Sequence, residues 1–348
     1  MPALLLSGLL AAGMTPAPGG AASAISAPAP ATVEREVVVM GTRAEVRITA
    51  ADRRAALAGS EAAVRALEAA ERRLSTWTRG GELERLNRTP VGEPMALSPE
   101  LAGELARAEA CSRATEGAFD PGVGALVAAW GLRGGGRLPS AGEIERARAA
   151  SAPGGLELRP DDTAVRTRPD LVIDEGGFGK GAGLDAALAA AGAVDGVEGA
   201  ELDLGGQVGL LARGGEEIGI ADPRRRDRAV ATLRAGSGSV ATSGNSERGL
   251  VVRGHRVGHL LDPRTGRPAP DFGSLTVWAP TGLEADCLST GLYVLGPRKA
   301  LAWAAAHPGV EVVVARPGAD GIVKLTASAG LAGRLRPIEG RSQIELTK

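Results

Sequence analysis

Three segments of the 348-residue chain carry residue types whose spacing can do chemistry. In "EADCLSTGLYVLG", Asp286, Ser289 and Thr290 stand at i, i+3 and i+4, so a helix would bring them to one face. A carboxylate with two hydroxyls is a hard-oxygen set of the kind that Mg2+ takes, completed by water or a substrate phosphate. An Asp that caps the helix N-terminus accounts for the same carboxylate. In "DEGGFGKGAG", Asp174, Gly177 and Lys180 share a glycine-rich run. Glycines let backbone approach a ligand closely, and a helix starting there offers free N–H groups to an anion. The run is not a P-loop, which needs Gly, four residues, then Gly-Lys-Ser/Thr; here Gly181 follows Gly179-Lys180, and Asp174 stands five residues before Gly179. A tight strand-to-helix turn accounts for it equally well. His259, in "GHLLDPRTGRP", is one of three histidines and stands three residues ahead of an Asp-Pro-Arg turn. A base and a packed imidazole are both open readings of it. His255 and His307 carry no functional reading.

These residues need elements to hold them. "EREVVVMGTRAEVRITA" alternates as two strands joined by a turn at Met40-Gly41-Thr42. Apolar positions at helical spacing predict a helix over 52–74, which "STWTRGGE" ends. Ser98 followed by Pro99 marks a helix start, and Ser140 with Glu143 matches a capping box. "GAFDPGVGALVAAWGL" reads as a loop entering a short apolar segment. Short strands are expected near Leu156 and Leu171, then a helix over 181–191. "AELDLGGQVGLLA", "EIGIADP", "SVATSGNSE", "GLVVRG" and "HLLDP" continue a mostly antiparallel sheet. Helices over 282–295 and 297–306 precede a last strand over 310–315. Strands and helices mix without a βαβ rhythm, so the class is α+β.

The net charge of -1 gives no electrostatic case for nucleic acid or an anionic membrane. The apolar run from Ala3 to Met14 is shorter than the ~20 residues that span a bilayer. It fits a signal-peptide h-region, with Ala22-Ser23-Ala24 as a cleavage pattern. No Lys or Arg precedes the run, which a misassigned start codon would explain, and no cysteine follows it to carry a lipid. The Pro/Ala/Gly stretch to Ala31 reads as a disordered linker. Cys111 and Cys287 allow one disulfide and no metal spacing; they read as buried small hydrophobes.

The order of the pieces is more specific than any one of them. "MGT" (40–42), "LSTWTRGGELERLN" (74–87), "GAFDPGVG" (117–124), "DEGGFGKG" (174–181), "LDLGGQV" (202–208), "ATSGNSER" (241–248), "HLLDPRTGRP" (259–268) and "ADCLSTGLYVLG" (285–296) occur in series. The series resembles the FAD:protein FMN transferase family, also called the ApbE family, over about residues 34–325. The resemblance implies an α+β fold with antiparallel sheets, flanking helices and an FAD cleft between lobes. It implies one catalytic domain over 32–348, after a signal peptide and linker over 1–31. Flavin or FAD contacts map to Met40, Trp77, Ala118, Phe119, Asp120, Asp174, Lys180 and Leu260. Metal contacts map to Asp286, Thr290, a carbonyl at Gly177 and, as a further contributor, Ser289. His259 and Asp286 are the competing candidates for the base. Trp77 stands where Tyr is more usual, and Glu175-Gly176, Ser246 and Gly81 also depart from the family pattern. These departures bear on the shape of the flavin and adenine pockets.

The activity so implied is Mg2+-dependent transfer of FMN from FAD to a Ser or Thr hydroxyl of an acceptor flavoprotein, with release of AMP. The acceptor would carry a short Ser/Thr-containing flavinylation motif. An Mg2+-dependent FAD pyrophosphatase is the first alternative, against which a bulky Trp77 over the site argues by excluding water. A non-catalytic flavin-binding protein is the second. The chain is expected to be exported to the periplasm or the outer face of the inner membrane, with no lipid-bearing cysteine and no transmembrane span once mature.

Overall fold

The computed structural model describes residues 30–212, 214–245, 250–252 and 254–347. The expected signal peptide and its cleavage site, and Ser246, lie outside the described residues. The helices are α1 (Arg53–Leu74), α2 (Glu82–Arg88), α3 (Pro99–Ala114), α4 (Gly124–Ala129), α5 (Ala141–Ala150), α6 (Gly179–Gly192), α7 (Gly282–Leu295) and α8 (Pro297–Ala306). β1 (Ala31–Val39) and β2 (Thr42–Ala50) pair antiparallel across Met40-Gly41, as the alternation predicts. Both turn residues have positive φ, 53° and 70°, the twist that a two-residue hairpin turn requires. Gly41 adopts it freely. Met40 is held there by its backbone N–H, which donates to Glu71 of α1 at 2.9 Å.

That hairpin opens a nine-stranded central sheet. It continues with β3 (Val197–Leu204), β4 (Gln207–Leu211), β5 (Gly238–Gly244), β6 (Ser274–Ala279), β7 (Glu311–Pro317), β8 (Val323–Ala327) and β9 (Ser342–Leu346). Each strand pairs with its neighbours in chain order, antiparallel except for the parallel pair β8–β9. α1 and α6 cover one face over β1–β3, burying Val46, Ile48, Leu67, Leu184 and Leu202. α7 covers the same sheet further along with α3 packed against it, and Leu105, Leu275, Val277, Leu288 and Val312 share one cluster. The opposite face carries a second, three-stranded sheet of Glu216–Asp222, Arg225–Ala235 and Leu335–Pro337. In β7, Val312 and Val314 face the helices while Val313 and Ala315 join the second sheet's cluster. Burial on both faces is why this strand is an unbroken apolar run.

A smaller lobe is built around α4 and α5, with Leu126, Trp130, Ile144, Val257 and Leu261 as its core. Trp130 donates its indole N–H to the Gly266 carbonyl at 2.8 Å and ties α4 to the Asp-Pro-Arg turn. The helix-start signals hold: Ser98 accepts from Leu101 N–H, and Ser140 and Glu143 form a full capping box. Several sequence expectations change. The last strand is Ser342–Leu346, not 310–315. The strand placed near Leu171 is Thr163–Arg166 instead, and Val172 makes only an isolated bridge to Val123. The helix expected from residue 181 begins at Gly179. Cys111 and Cys287 are buried as expected but are not free thiols: they form a disulfide between α3 and α7. The two helices pack so that the cysteine Cα atoms lie 6.4 Å apart, within disulfide reach. α1 joins the same group of helices through a buried ion pair, with Arg73 Nε donating to Glu104 of α3 at 3.0 Å.

Candidate active site

α7 brings the oxygen donors to the cleft, and its N-terminus sets where they point. Thr281 caps the helix by accepting from Glu284 N–H, so Asp286 is not the cap. Asp185 of α6 accepts from the Gly282 and Leu283 N–H groups, a carboxylate at the positive end of the helix. The starts of α6 and α7 touch backbone to backbone. A Cβ on Gly181 would lie 2.1 Å from the Gly282 carbonyl oxygen, so only glycine fits. This approach lets Gly181 N–H donate to Asp286 Oδ2 at 3.1 Å. Asp286 is buried, and burial pushes its carboxyl up from the ordinary range, opposed by Lys180 and by the Gly181 N–H.

Thr290 lies one turn on from Asp286, and both line a cavity of about 480 Å3 between the central sheet and the smaller lobe. The glycine loop closes down on them: a Cβ on Gly177 would sit 3.0 Å from the Phe119 ring and 3.6 Å from Thr290 Oγ1. Trp77, Ala118, Phe119, Asp120, Asp174, Gly177, Lys180, His259 and Leu260 all line the same cavity. Asp174 caps the short 3-10 turn Glu175–Gly177 through Gly176 N–H at 2.9 Å. Asp120 accepts from Gly122 N–H at 2.7 Å and from the Ser112 hydroxyl at 3.1 Å, yet burial pushes its carboxyl up.

Two expected contacts stand aside. Ser289 is buried, its hydroxyl bonded to the Asp286 carbonyl and to Ser243 Oγ, each at 2.9 Å, and it does not line the cavity. Met40 packs behind the glycine loop: its sulfur would lie 2.6 Å from a Cβ on Gly183. The motif spacing gave no means of telling these supporting residues from lining ones.

The histidine is seated by a residue from another motif. Asn245 Oδ1 accepts from Leu260 N–H at 3.3 Å, and its amide donates to the Ala269 carbonyl at 3.2 Å. Gly258 is required beside it, since a Cβ there would fall 2.6 Å from Asn245. Downstream, Asp262 accepts from Arg264 N–H, Nε and Nη2 at 2.9–3.0 Å, locking the Asp-Pro-Arg turn. His307 has a local role, stacked on Trp303 at 3.7 Å between ring centroids. The sequence reading missed Arg133, which lines the cavity and stands 4.5 Å over the Trp77 ring, and the apolar wall of Val123, Val127, Leu132, Leu261 and Pro263. The apolar segment that contains Val123 and Val127 was the available signal for the wall. Trp77 is 65% exposed, so its ring stands at the solvent-facing edge of the cavity.

Known proteins resemble this chain in sequence and in fold. The sequence model of the ApbE family matches residues 40–314. A FAD:protein FMN transferase of Rhodobacter capsulatus is 34% identical over 345 residues, which is 95% of this chain and 63% of that protein. The chain therefore spans less than two thirds of that relative's length. A FAD:protein FMN transferase of Vibrio cholerae is 32% identical over 67% of this chain and 72% of its own length. Among solved structures, an ApbE protein of Thermotoga maritima has a TM-score of 0.73 at 30% identity, covering 81% of this chain and 94% of that one. The flavin transferase ApbE of Vibrio cholerae has a TM-score of 0.76 at 27% identity, covering 88% of this chain and all of the other. The α+β architecture, the order of the motifs and the matched span agree, and the chain belongs to the ApbE family.

Proposed function

We propose that this chain transfers FMN from FAD to a Ser or Thr hydroxyl of an acceptor protein and releases AMP. The observation that carries the reading is the convergence, in one cavity, of an exposed aromatic ring, a cation beside a buried carboxylate, and a histidine. Trp77 offers a face for the isoalloxazine ring, and Phe119 and Leu260 supply apolar contact. Lys180 and the N–H groups at the start of α6 attract the pyrophosphate.

The donors present suit Mg2+. Asp286 has one carboxylate oxygen on Gly181 N–H and the other available, and Thr290 and the Gly177 carbonyl add neutral oxygens. The described residues contain no group of three His, Cys, Asp or Glu side chains that could hold a metal. That fits an ion which takes few protein ligands and keeps water and substrate phosphate. When bound, the ion would neutralise charge on the pyrophosphate. In the transfer, the acceptor oxygen bonds to the FMN phosphorus, the bond from that phosphorus to AMP breaks, and AMP leaves with the bridging oxygen. His259 takes the proton from the acceptor hydroxyl; Asp286, buried and facing Lys180, is left to hold the cation.

The solvent exposure of Trp77 favours a second reading, in which water replaces the acceptor and FAD is hydrolysed. Incubation with FAD and Mg2+, with and without a candidate acceptor, separates the readings. Transfer predicts flavin fluorescence fixed on the acceptor together with AMP. Hydrolysis predicts FMN and AMP in either case, and a binding protein predicts neither product.

The Cys111–Cys287 disulfide supports an oxidising compartment, where such bonds persist, in line with export to the periplasm or the outer face of the inner membrane. No described helix is long and apolar enough to cross a membrane.

A further inference from the structure

Arg133 bridges segments that the motif series treats as separate. It lies in the turn after α4, and that turn is tightly built. Leu132 N–H donates to the Val127 carbonyl at 3.1 Å, and Gly134 and Gly136 N–H both donate to the Gly131 carbonyl at 2.9 Å. From there the guanidinium reaches two other loops. Nη2 donates to Thr76 Oγ1 and to Asp174 Oδ2, both at 2.6 Å, and Nη1 donates to the Thr76 carbonyl at 3.2 Å. Thr76 in turn gives its hydroxyl and its N–H to Glu175. The Trp77 ring lies beneath the same guanidinium.

Little else fixes Trp77. Its backbone N–H donates to Ser75 Oγ at 3.3 Å, and the ring is mostly in solvent. Arginine suits the position because its planar fork can hold a carboxylate and a carbonyl while its face lies on an aromatic ring. A lysine offers a point charge without the fork.

We propose that Arg133 is a positioning residue of the flavin pocket. It holds the Trp77 ring and the Asp174 carboxylate in the arrangement that receives the isoalloxazine ring, and so sets the balance between transfer and hydrolysis. The proposal rests on the FAD reading above.

The test compares Arg133→Ala, Arg133→Lys, Trp77→Ala and the double variant Arg133→Ala/Trp77→Ala with the wild type. FAD affinity and quenching of flavin fluorescence are measured in EDTA, apart from chemistry. AMP released per flavin fixed on acceptor is measured with Mg2+, and the melting temperature is recorded. Arg133→Ala is expected to weaken FAD binding about tenfold, the scale of a lost cation–π contact with its charged hydrogen bonds. It should reduce quenching and raise AMP per transferred flavin. Arg133→Lys should shift in the same direction, and Arg133→Ala should weaken binding less in the Trp77→Ala background than it does alone. Wild-type affinity and product ratio in Arg133→Ala would overturn the proposal, as would a lowered melting temperature with both unchanged. Wild-type behaviour in Arg133→Lys would overturn the role of the fork. A wild-type protein that neither binds FAD nor yields AMP would overturn the reading underneath, a result that the Arg133 variants cannot imitate.

Discussion

His259 and Asp286 face one cavity from different elements, and their surroundings give them different work. His259 is followed by backbone fixed first at Leu260 by Asn245 and then by the Asp262 turn. His259→Asn keeps a polar group of similar reach but cannot accept a proton near neutral pH. Transfer at saturating FAD and acceptor should slow by roughly 10²–10⁴-fold, the usual worth of a positioned base, while FAD still binds. A wild-type single-turnover rate would move the base role elsewhere. Asp120 offers a separate check of the electrostatics. Burial raises its folded-state pKa above the unfolded one, so this group favours folding at low pH and that contribution is lost as pH rises through the folded pKa. Asp120→Asn should therefore raise the melting temperature at pH 7, with the gain shrinking as pH falls into the carboxylate range. A gain independent of pH would contradict this. The sequence placed Asp120 in a motif but could not show that Ser112 and Gly122 already occupy both of its oxygens.

α7 unites the chemistry with the scaffold. Its start is pinned by Asp185, one side carries Asp286 and Thr290, and Cys287 fastens it to α3. Replacing both cysteines with alanine opens a crosslink between residues 176 apart in sequence. The cost should be roughly 2–5 kcal/mol, seen as a lower melting temperature in the variant or in reductant, and equal melting in both states would contradict it. Arg73 and Glu104 tie α1 to the same α3. Arg73→Ala leaves the Glu104 carboxylate buried without its cation, and should cost about 3–5 kcal/mol in a urea melt. A loss below about 1 kcal/mol, the scale of an exposed pair, would show that the pair is effectively solvated. The ends of α7 and α8 were legible because Gly296 and Pro297 punctuate one apolar pattern. The disulfide was not, because the pairing depends on how two distant helices pack. The strand Arg225–Ala235 was also missed: its arginines and a register shift against Glu216–Asp222 disguise the alternation.

Across the whole molecule, the central sheet strings its strands in chain order and leaves the long connections to build the smaller lobe opposite α7. A cavity lies between the lobes, where the proposed FAD site would be. Local alternation and capping signals made the β1–β2 hairpin and most helices readable. β8, β9 and Leu335–Pro337 were not, because Gly, Pro and Ala interrupt the pattern after residue 316 and their burial comes from partners far away in sequence. Likewise, motif order named most lining residues, whereas Arg133 emerges only when the lobes are brought together. On the proposed reading, this cavity moves FMN, as one unit, from FAD to a protein hydroxyl with Asp286 holding the cation. Its most direct test is intact-mass and peptide mass spectrometry of an acceptor treated with FAD, Mg2+ and either the wild type or Asp286→Ala. The expected result is one FMN on a single Ser or Thr with one AMP released per flavin fixed by the wild type, and no transfer by a folded Asp286→Ala. Unmodified acceptor alongside free FMN and AMP from the wild type, or equal flavinylation by Asp286→Ala at limiting Mg2+, would contradict it.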